Sequence, residues 1–267
     1  MDMATTVGVV SLATNRYVEY WMKLARTSDE CLFPAHEVVM HVFTDRADVV
    51  REFSSDLKRI KVNAVSIDPL AWPAAPLQKF QVISDHREYL QHDLVMHLDA
   101  DMLVVAPAGD ELEPSAWQGG MALVRHPGYR RPPKPKLRSL YARNPQIAVR
   151  DAYRKILVGG IGTWESERAS LAYVPRSLRS NYVCGATWMG LRESFLETAK
   201  LLAERTTVDT DHDRIAVWHD ESHLNWFAAH RPCTILDADY CFAEGLPNLQ
   251  DIRPKIVAVE KRDDRTR

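Results

Sequence analysis

The sequence predicts an α/β protein with a mainly parallel central sheet flanked by helices. Apolar runs alternate with helix-period segments through the first hundred residues, the pattern of successive β-α-β units. Several runs are continuously apolar, as strands covered on both faces are. The last of them, LVMHLDAD at residues 94–101, ends abruptly in acid. In open α/β sheets ligands bind beyond the carboxyl ends of strands, so Asp99 and Asp101 mark the expected ligand side.

Residues 7–13 (VGVVSLA) read as the first buried strand. Tyr17, Tyr20, Trp21, Leu24 and Ala25 then recur at helical spacing. Residues 38–43 (VVMHVF) form a second buried strand, and 60–67 (IKVNAVSI) a third that alternates. A helix is expected over 77–90, leading into the acidic strand. Residues 130–136 (RRPPKPK) carry too many prolines for ordinary helix or central strand. With the region up to Gly162 they read as an insertion or mobile connection, in which Gly159-Gly160-Ile161-Gly162 is a flexible hinge. Residues 126–129 (HPGY) resemble a turn. Helices are expected again at 192–205 and around 219–230, with a short strand at 233–236. No internal repeat appears, and one composite domain over 1–267 is the expected organisation.

The 267 residues are 46% hydrophobic and 26% charged, ample for a sizeable core. A net charge of −2 provides no field that would draw the protein to nucleic acid. No stretch is long and apolar enough to span a membrane. The start, MDMATTVGVVSLATN, lacks the basic and apolar regions of a secretion signal. Cys31, Cys184, Cys233 and Cys241 form no CxxC pair and read as reduced thiols. These features predict a soluble cytoplasmic protein. The basic cluster at 130–136 reads as a solvated loop, with contact to an anionic acceptor or a membrane surface as the alternative.

Two constellations could carry chemistry. In an extended strand Asp99 and Asp101 would point the same way and offer oxygens to a hard divalent cation. They are too few for a closed cage, so water and substrate phosphates would complete the shell; a solvated acidic turn is the bland alternative. The second is WHDESHLN, residues 218–225. His219 and His223 are i, i+4 neighbours on a helix, as zinc ligands are in HExxH hydrolases. Glu221, however, lies about 200° around from His219, and no third ligand stands at a recognisable spacing. A helix start with Asp220 and Glu221 at the positive end of its dipole explains the charges equally well.

In order, LATNRY (12–17), VFTD (42–45), ISD (83–85), DADM (99–102), HPGY (126–129), YVP (173–175) and WHDESHLN resemble the family 6 glycosyltransferases, which include blood-group A and B transferases and α1,3-galactosyltransferases. The resemblance implies a GT-A type nucleotide-sugar-binding fold. It implies transfer of galactose or N-acetylgalactosamine from the UDP donor to the 3-hydroxyl of a β-galactoside acceptor, with retention. By it, residues 7–105 bind UDP, 106–250 bind acceptor, and the tail at 251–267 closes over UDP. Asp99 and Asp101 would hold Mn²⁺ or Mg²⁺ and the donor. Leu12, Thr14 and Tyr17 match the turn that holds uridine, and Lys79 takes the place of an arginine that contacts the donor sugar. Cys184, Gly185 and Ala186 match the sugar-selecting stretch, with small residues that leave both donors open. Asp220 matches a donor-sugar ligand, with His219 near the donor. His126, Thr163 and Trp218 match the acceptor pocket, and Lys261 and Arg267 match tail cations over the diphosphate. Glu221 matches the carboxylate beneath the anomeric carbon. Retention requires such a group on the face opposite the leaving group, as nucleophile or as anionic stabiliser. The alternatives are a zinc metallohydrolase using His219 and His223, and a sugar-nucleotide or glycan-binding protein without turnover.

Overall fold

The computed structural model describes residues 5–259. Strand β1 (Thr6–Leu12) leads to helix α1 (Tyr17–Cys31), β2 (Glu37–Thr44) to α2 (Ala47–Ser54), and β3 (Lys61–Ser66) to α3 (Ala74–Asp85). Strands β4 (Leu94–Leu98), β5 (Met102–Val104) and β6 (Met121–Arg125) follow, then α4 (Lys134–Arg143) and α5 (Pro145–Tyr153). Strand β7 (Val183–Leu191) precedes α6 (Arg192–Asp211) and α7 (His219–His230), and β8 (Thr234–Leu236) and β9 (Ile256–Ala258) complete the order. The main sheet runs β3-β2-β1-β4-β7-β6-β8. All of its pairs are parallel except those made by β7, which is antiparallel to both β4 and β6. Strands β5 and β9 form a separate antiparallel ribbon.

The continuous apolar runs have a direct cause. Successive side chains of a strand face opposite sides, and here each side has its own core. Val7 and Val9 of β1 enter one core with Trp21 and Leu24 of α1 and Phe53 of α2. Val10 enters the other with Phe80 and Ile83 of α3, Phe195 of α6 and Leu224 of α7. Strand β4 divides likewise, Leu94, Met96 and Leu98 against Val95.

Several expectations need correction. The acidic strand stops at Leu98, and Asp99–Asp101 form a turn closed by Met102 N–H donating to the Asp99 carbonyl at 3.2 Å. The two carboxylates therefore sit at the ends of a turn rather than along a strand. Helix α3 ends at Asp85, five residues early, where the His86 ring lies 2.9 Å from the Val82 carbonyl and occupies the last turn.

The region 130–162 is ordered helix rather than a mobile connection. Pro135 lies in the first turn of α4 and Pro145 begins α5, positions whose N–H groups need no intrahelical partner. Arg130 and Arg131 are internal ties instead of a solvated or membrane-facing patch. Arg130 is buried and pairs with Asp237 at 3.1 Å and with Asp251; Arg131 holds buried Asp151 at 2.6 Å. The Gly159–Gly162 stretch is no hinge. Gly159 ends the turn at 154–158 in the left-handed region at φ 86°, as helix-terminating glycines do. A Cβ on Gly162 would fall 2.5 Å from the Tyr182 ring, so absence of a side chain lets these segments close-pack. No helix among the described residues is long and apolar enough to cross a membrane.

Candidate active site

The site forms where the carboxyl ends of β1 and β4 and the amino end of the antiparallel β7 meet the first turn of α7. Glycine at 185 in β7 makes this approach possible. A Cβ there would lie 3.0 Å from Asp220 Oδ2 and 3.2 Å from Glu221 Cβ. Asn225, the last residue of WHDESHLN, fastens helix to strand. Its Oδ1 accepts from Val183 N–H at 2.9 Å and its Nδ2 donates to the Val183 carbonyl at 2.8 Å.

So held, Glu221 points into the wall of β7. Its Oε2 accepts from Gly185 N–H at 3.0 Å and its Oε1 from the Tyr182 hydroxyl at 2.8 Å. Burial raises its pKa to about 7 against these two hydrogen bonds, which favour the ionised form; the Asp220 charge adds to the rise and Lys79 opposes it. Tyr182 is raised in turn, by burial and by the adjacent Glu221.

Lys79 reaches from α3 into the same space. Its Nζ donates to Asp220 Oδ2 at 2.6 Å and Asp99 Oδ1 at 2.8 Å, with the Gly185 carbonyl at 3.4 Å. Burial would weaken the ammonium, but the two carboxylates outweigh it and raise its pKa. Asp99 shows the converse: burial works to raise it, and Lys79 and His97 hold it well below the usual carboxylate range. His97 Nε2 lies 3.0 Å from Asp99 Oδ1, and Ala186 accepts from Asp99 N–H at 2.9 Å, stitching the acidic turn to β7. Cys184 is buried beside Cys241.

The β1–α1 turn forms a second edge. Leu12 ends β1, Thr14 donates through Oγ1 to the Leu70 carbonyl at 3.2 Å, and Tyr17 begins α1 with its N–H on the Thr14 carbonyl. Asn15 N–H meets Asp45 Oδ1 at 2.9 Å, which joins the LATNRY and VFTD segments. Trp72, in the loop after Leu70, packs edge-on against His219 with ring centres 5.6 Å apart. His219 opens α7 in the left-handed region at φ 47°, and backbone strain of this kind collects at functional sites.

On the third side His126 accepts at Nδ1 from Gly128 N–H and packs tilted against the Tyr129 ring, centres 4.7 Å apart. Tyr129 is hydrogen-bonded to Thr163 and lies 4.9 Å from Tyr182. His126 and Thr163 thus connect through two tyrosines to Glu221. Trp218, half exposed, immediately precedes α7. Lys261 and Arg267 lie outside the described residues.

The two histidines of the octapeptide do not converge. His219 packs on Trp72, whereas buried His223 turns to Asp209, 3.6 Å away, and burial lowers its pKa to about 4. Among the described residues no group of three His, Cys, Asp or Glu is placed to hold a metal, so the zinc reading gains no support. The Asp99–Asp101 turn fits a different demand. Asp99 is one third exposed and commits Oδ1 to Lys79 and His97. Its second oxygen and the Asp101 carboxylate are hard donors suited to a divalent cation that shares its shell with phosphate and water.

The sequence assigned no role to Tyr182, His97 or Asn225. A histidine inside the apolar run of β4 was the visible sign for His97, and Asn225 sits in the octapeptide itself. Tyr182 gave no local sign, because its partner lies 39 residues away.

Residues 160–267 match the model of glycosyltransferase family 6. The chain is 27% identical over 263 residues, 96% of its length, to the rat histo-blood group ABO system transferase 1. It is 23% identical over 257 residues to the chicken globoside α-1,3-N-acetylgalactosaminyltransferase 1, covering 94% of this chain. It spans 67% and 66% of those two relatives' own lengths. The Escherichia coli O-antigen biosynthesis glycosyltransferase WbnI is 21% identical over 257 residues, 96% of this chain and 94% of WbnI. The mainly parallel sheet is that expected of a GT-A type fold, and over residues 160–267 the chain is similar to glycosyltransferase family 6.

Proposed function

We propose that the chain is a retaining glycosyltransferase that moves galactose or N-acetylgalactosamine from a UDP donor to the 3-hydroxyl of a β-galactoside. The observation that carries this is a buried carboxylate, Glu221, fixed by Gly185 N–H and Tyr182 beside the Lys79–Asp99–Asp220 cluster. The names of the relatives, which include transferases of α-1,3-N-acetylgalactosamine and blood-group type, support the linkage.

In this reading Leu12, Thr14 and Tyr17 hold uridine. Asp220, Lys79, His219 and the Cys184-Gly185-Ala186 stretch hold the donor sugar, and His126, Thr163 and Trp218 hold the acceptor galactose. Asp99 and Asp101 would hold Mn²⁺ or Mg²⁺, which when bound neutralises charge developing on the departing diphosphate. The division into a UDP-binding half at 7–105, an acceptor-binding half at 106–250 and a closing tail at 251–267 belongs to the same proposal. So does a cytoplasmic setting, soluble or peripheral to a membrane, which the four free cysteines support.

Glu221 acts in its ionised form whether it bonds to the anomeric carbon or stabilises positive charge there. Because its pKa is raised, the protonated, inactive form dominates below about 7. The value of kcat/KM is therefore expected to rise with pH and level off above that point. Tyr182→Phe removes a donor that favours ionisation, so the acid limb should move up by about one pH unit. A fall in activity with an unmoved limb would show that Tyr182 only supports the fold.

A screen of UDP-Gal and UDP-GalNAc against lactose and fucosylated lactose tests the whole proposal. Transfer with α1,3 linkage is the expected result, and EDTA should abolish most of it, with recovery on adding Mn²⁺. UDP binding without transfer to any β-galactoside would leave a binding protein instead. Undiminished activity in EDTA would remove the cation from the proposal.

A further inference from the structure

A cleft of about 860 Å³ opens beside Thr163 and Val217, at the outer end of the proposed acceptor pocket. Arg154, Arg168, Arg176 and Arg179 line it together with aromatic side chains, and no aspartate or glutamate does. Among the described residues the arginines within 4.0 Å of a carboxylate are Arg46, Arg51, Arg130, Arg131, Arg192 and Arg214, none of which lines this cleft. Arg179 spends its donors on the carbonyls of Val174, Val158 and Glu165, and Arg176 donates to the Leu157 carbonyl. Arg154 lies 4.7 Å from the centre of the Tyr129 ring, and its buried Nη1 has no hydrogen-bond partner. Glu165 acts favourably on Arg179 through its charge, but it is buried with its carboxylate oxygens taken by Glu167 and Val217 N–H, each at 2.8 Å, and forms no ion pair with the group.

Four like charges around one recess repel each other, and their field is concentrated by the low-dielectric walls. A planar guanidinium matches carboxylate and phosphate oxygens, so an anion from outside relieves both repulsion and the orphaned donor. The direction of approach follows from the site. An acceptor galactose presents its 3-hydroxyl to the anomeric carbon held over Glu221, so the rest of the glycan leaves the pocket from the end away from the donor. Thr163 stands at that end, bonded to the Tyr129 hydroxyl and facing the cleft.

We infer that this cleft is an anion subsite for the acceptor, receiving a carboxylate or phosphate carried on the reducing side of the accepting galactose. The inference rests on the glycosyltransferase reading for its orientation, and equilibrium binding tests it separately from turnover.

Calorimetry in the presence of UDP would compare lactobionate with lactitol, the same galactose on an acidic and a neutral open chain, and lactose 1-phosphate with lactose. At least one anionic partner is expected to bind about tenfold tighter than its neutral control. The advantage should shrink as salt is raised. The two pairs distinguish a carboxylate from a phosphate. Arg168→Gln combined with Arg176→Gln, both exposed positions, should bring the ratio close to one. Arg168→Glu alone should reduce it without altering the interior. A ratio near one in the unaltered protein, or one that survives these substitutions, overturns the subsite. Transfer to lactitol with a ratio near one leaves the catalytic reading intact. An anionic preference with no transfer to any acceptor keeps the subsite and removes the catalytic reading.

Discussion

Glu221→Gln is expected to lower kcat by about a thousandfold or more while leaving the protein folded and able to bind UDP. The amide replaces the carboxylate with almost the same shape. Its oxygen accepts from Gly185 N–H, and its NH₂ group donates to the Tyr182 oxygen, which turns from donor to acceptor. The lost quantity is negative charge opposite the leaving group, which matters most in the transition state. Single-turnover and steady-state rates with UDP-Gal and lactose would measure it, and full activity would remove Glu221 from the chemistry.

The same substitution should stabilise the protein at alkaline pH. An acid whose folded pKa is raised binds its proton more tightly in the folded state, so its stabilising contribution is complete below the ordinary range near 4.5 and disappears as pH rises through about 7. At pH 8 the ionised Glu221 costs roughly 3 kcal/mol. Glutamine avoids that cost, so its stability advantage in urea should be larger at pH 8 than at pH 5. An equal difference at both pH values would contradict the raised pKa. Activity and stability thus oppose each other at one residue.

Lys79→Met is expected to destabilise the fold by about 3–5 kcal/mol and to abolish donor binding. The ammonium is buried between Asp99 and Asp220, within 2.8 Å of each, so its removal leaves two carboxylates facing each other without a counter-charge. Lys79 also holds Asp99 ionised, a condition for offering its second oxygen to a cation. Lys79→Arg keeps the charge and should lose less than half of the stability. Denaturant unfolding would check both variants, and a loss below about 1 kcal/mol in Lys79→Met would show the clamp to be dispensable.

Much of the first half was legible because its signals are local. A strand with a core on each face must be apolar at every position, and β1, β2 and β4 carry that pattern in consecutive residues. Helices α1 and α7 announced themselves by spacing and by acids in the first turn. Strand β7 did not, since VCGATWMGL mixes glycine, cysteine and threonine and owes its conformation to pairing with β4 and β6. The prolines of 130–162 misled for a related reason. Proline forbids the interior of a helix but suits its first turn, and only the surrounding packing sets where that turn falls.

The sequence by itself determined the sheet class, the family resemblance and the candidate residues for the site. It could do so because hydrophobic period and motif order survive without knowledge of contacts. The tertiary structure decided what those residues do to one another. Lys79 and Asp220 are 141 residues apart, and the pKa of Glu221 depends on Tyr182, Gly185 and burial contributed by separate elements. Desolvation and charge pairing act over a few ångströms in space, and no spacing along the chain encodes them.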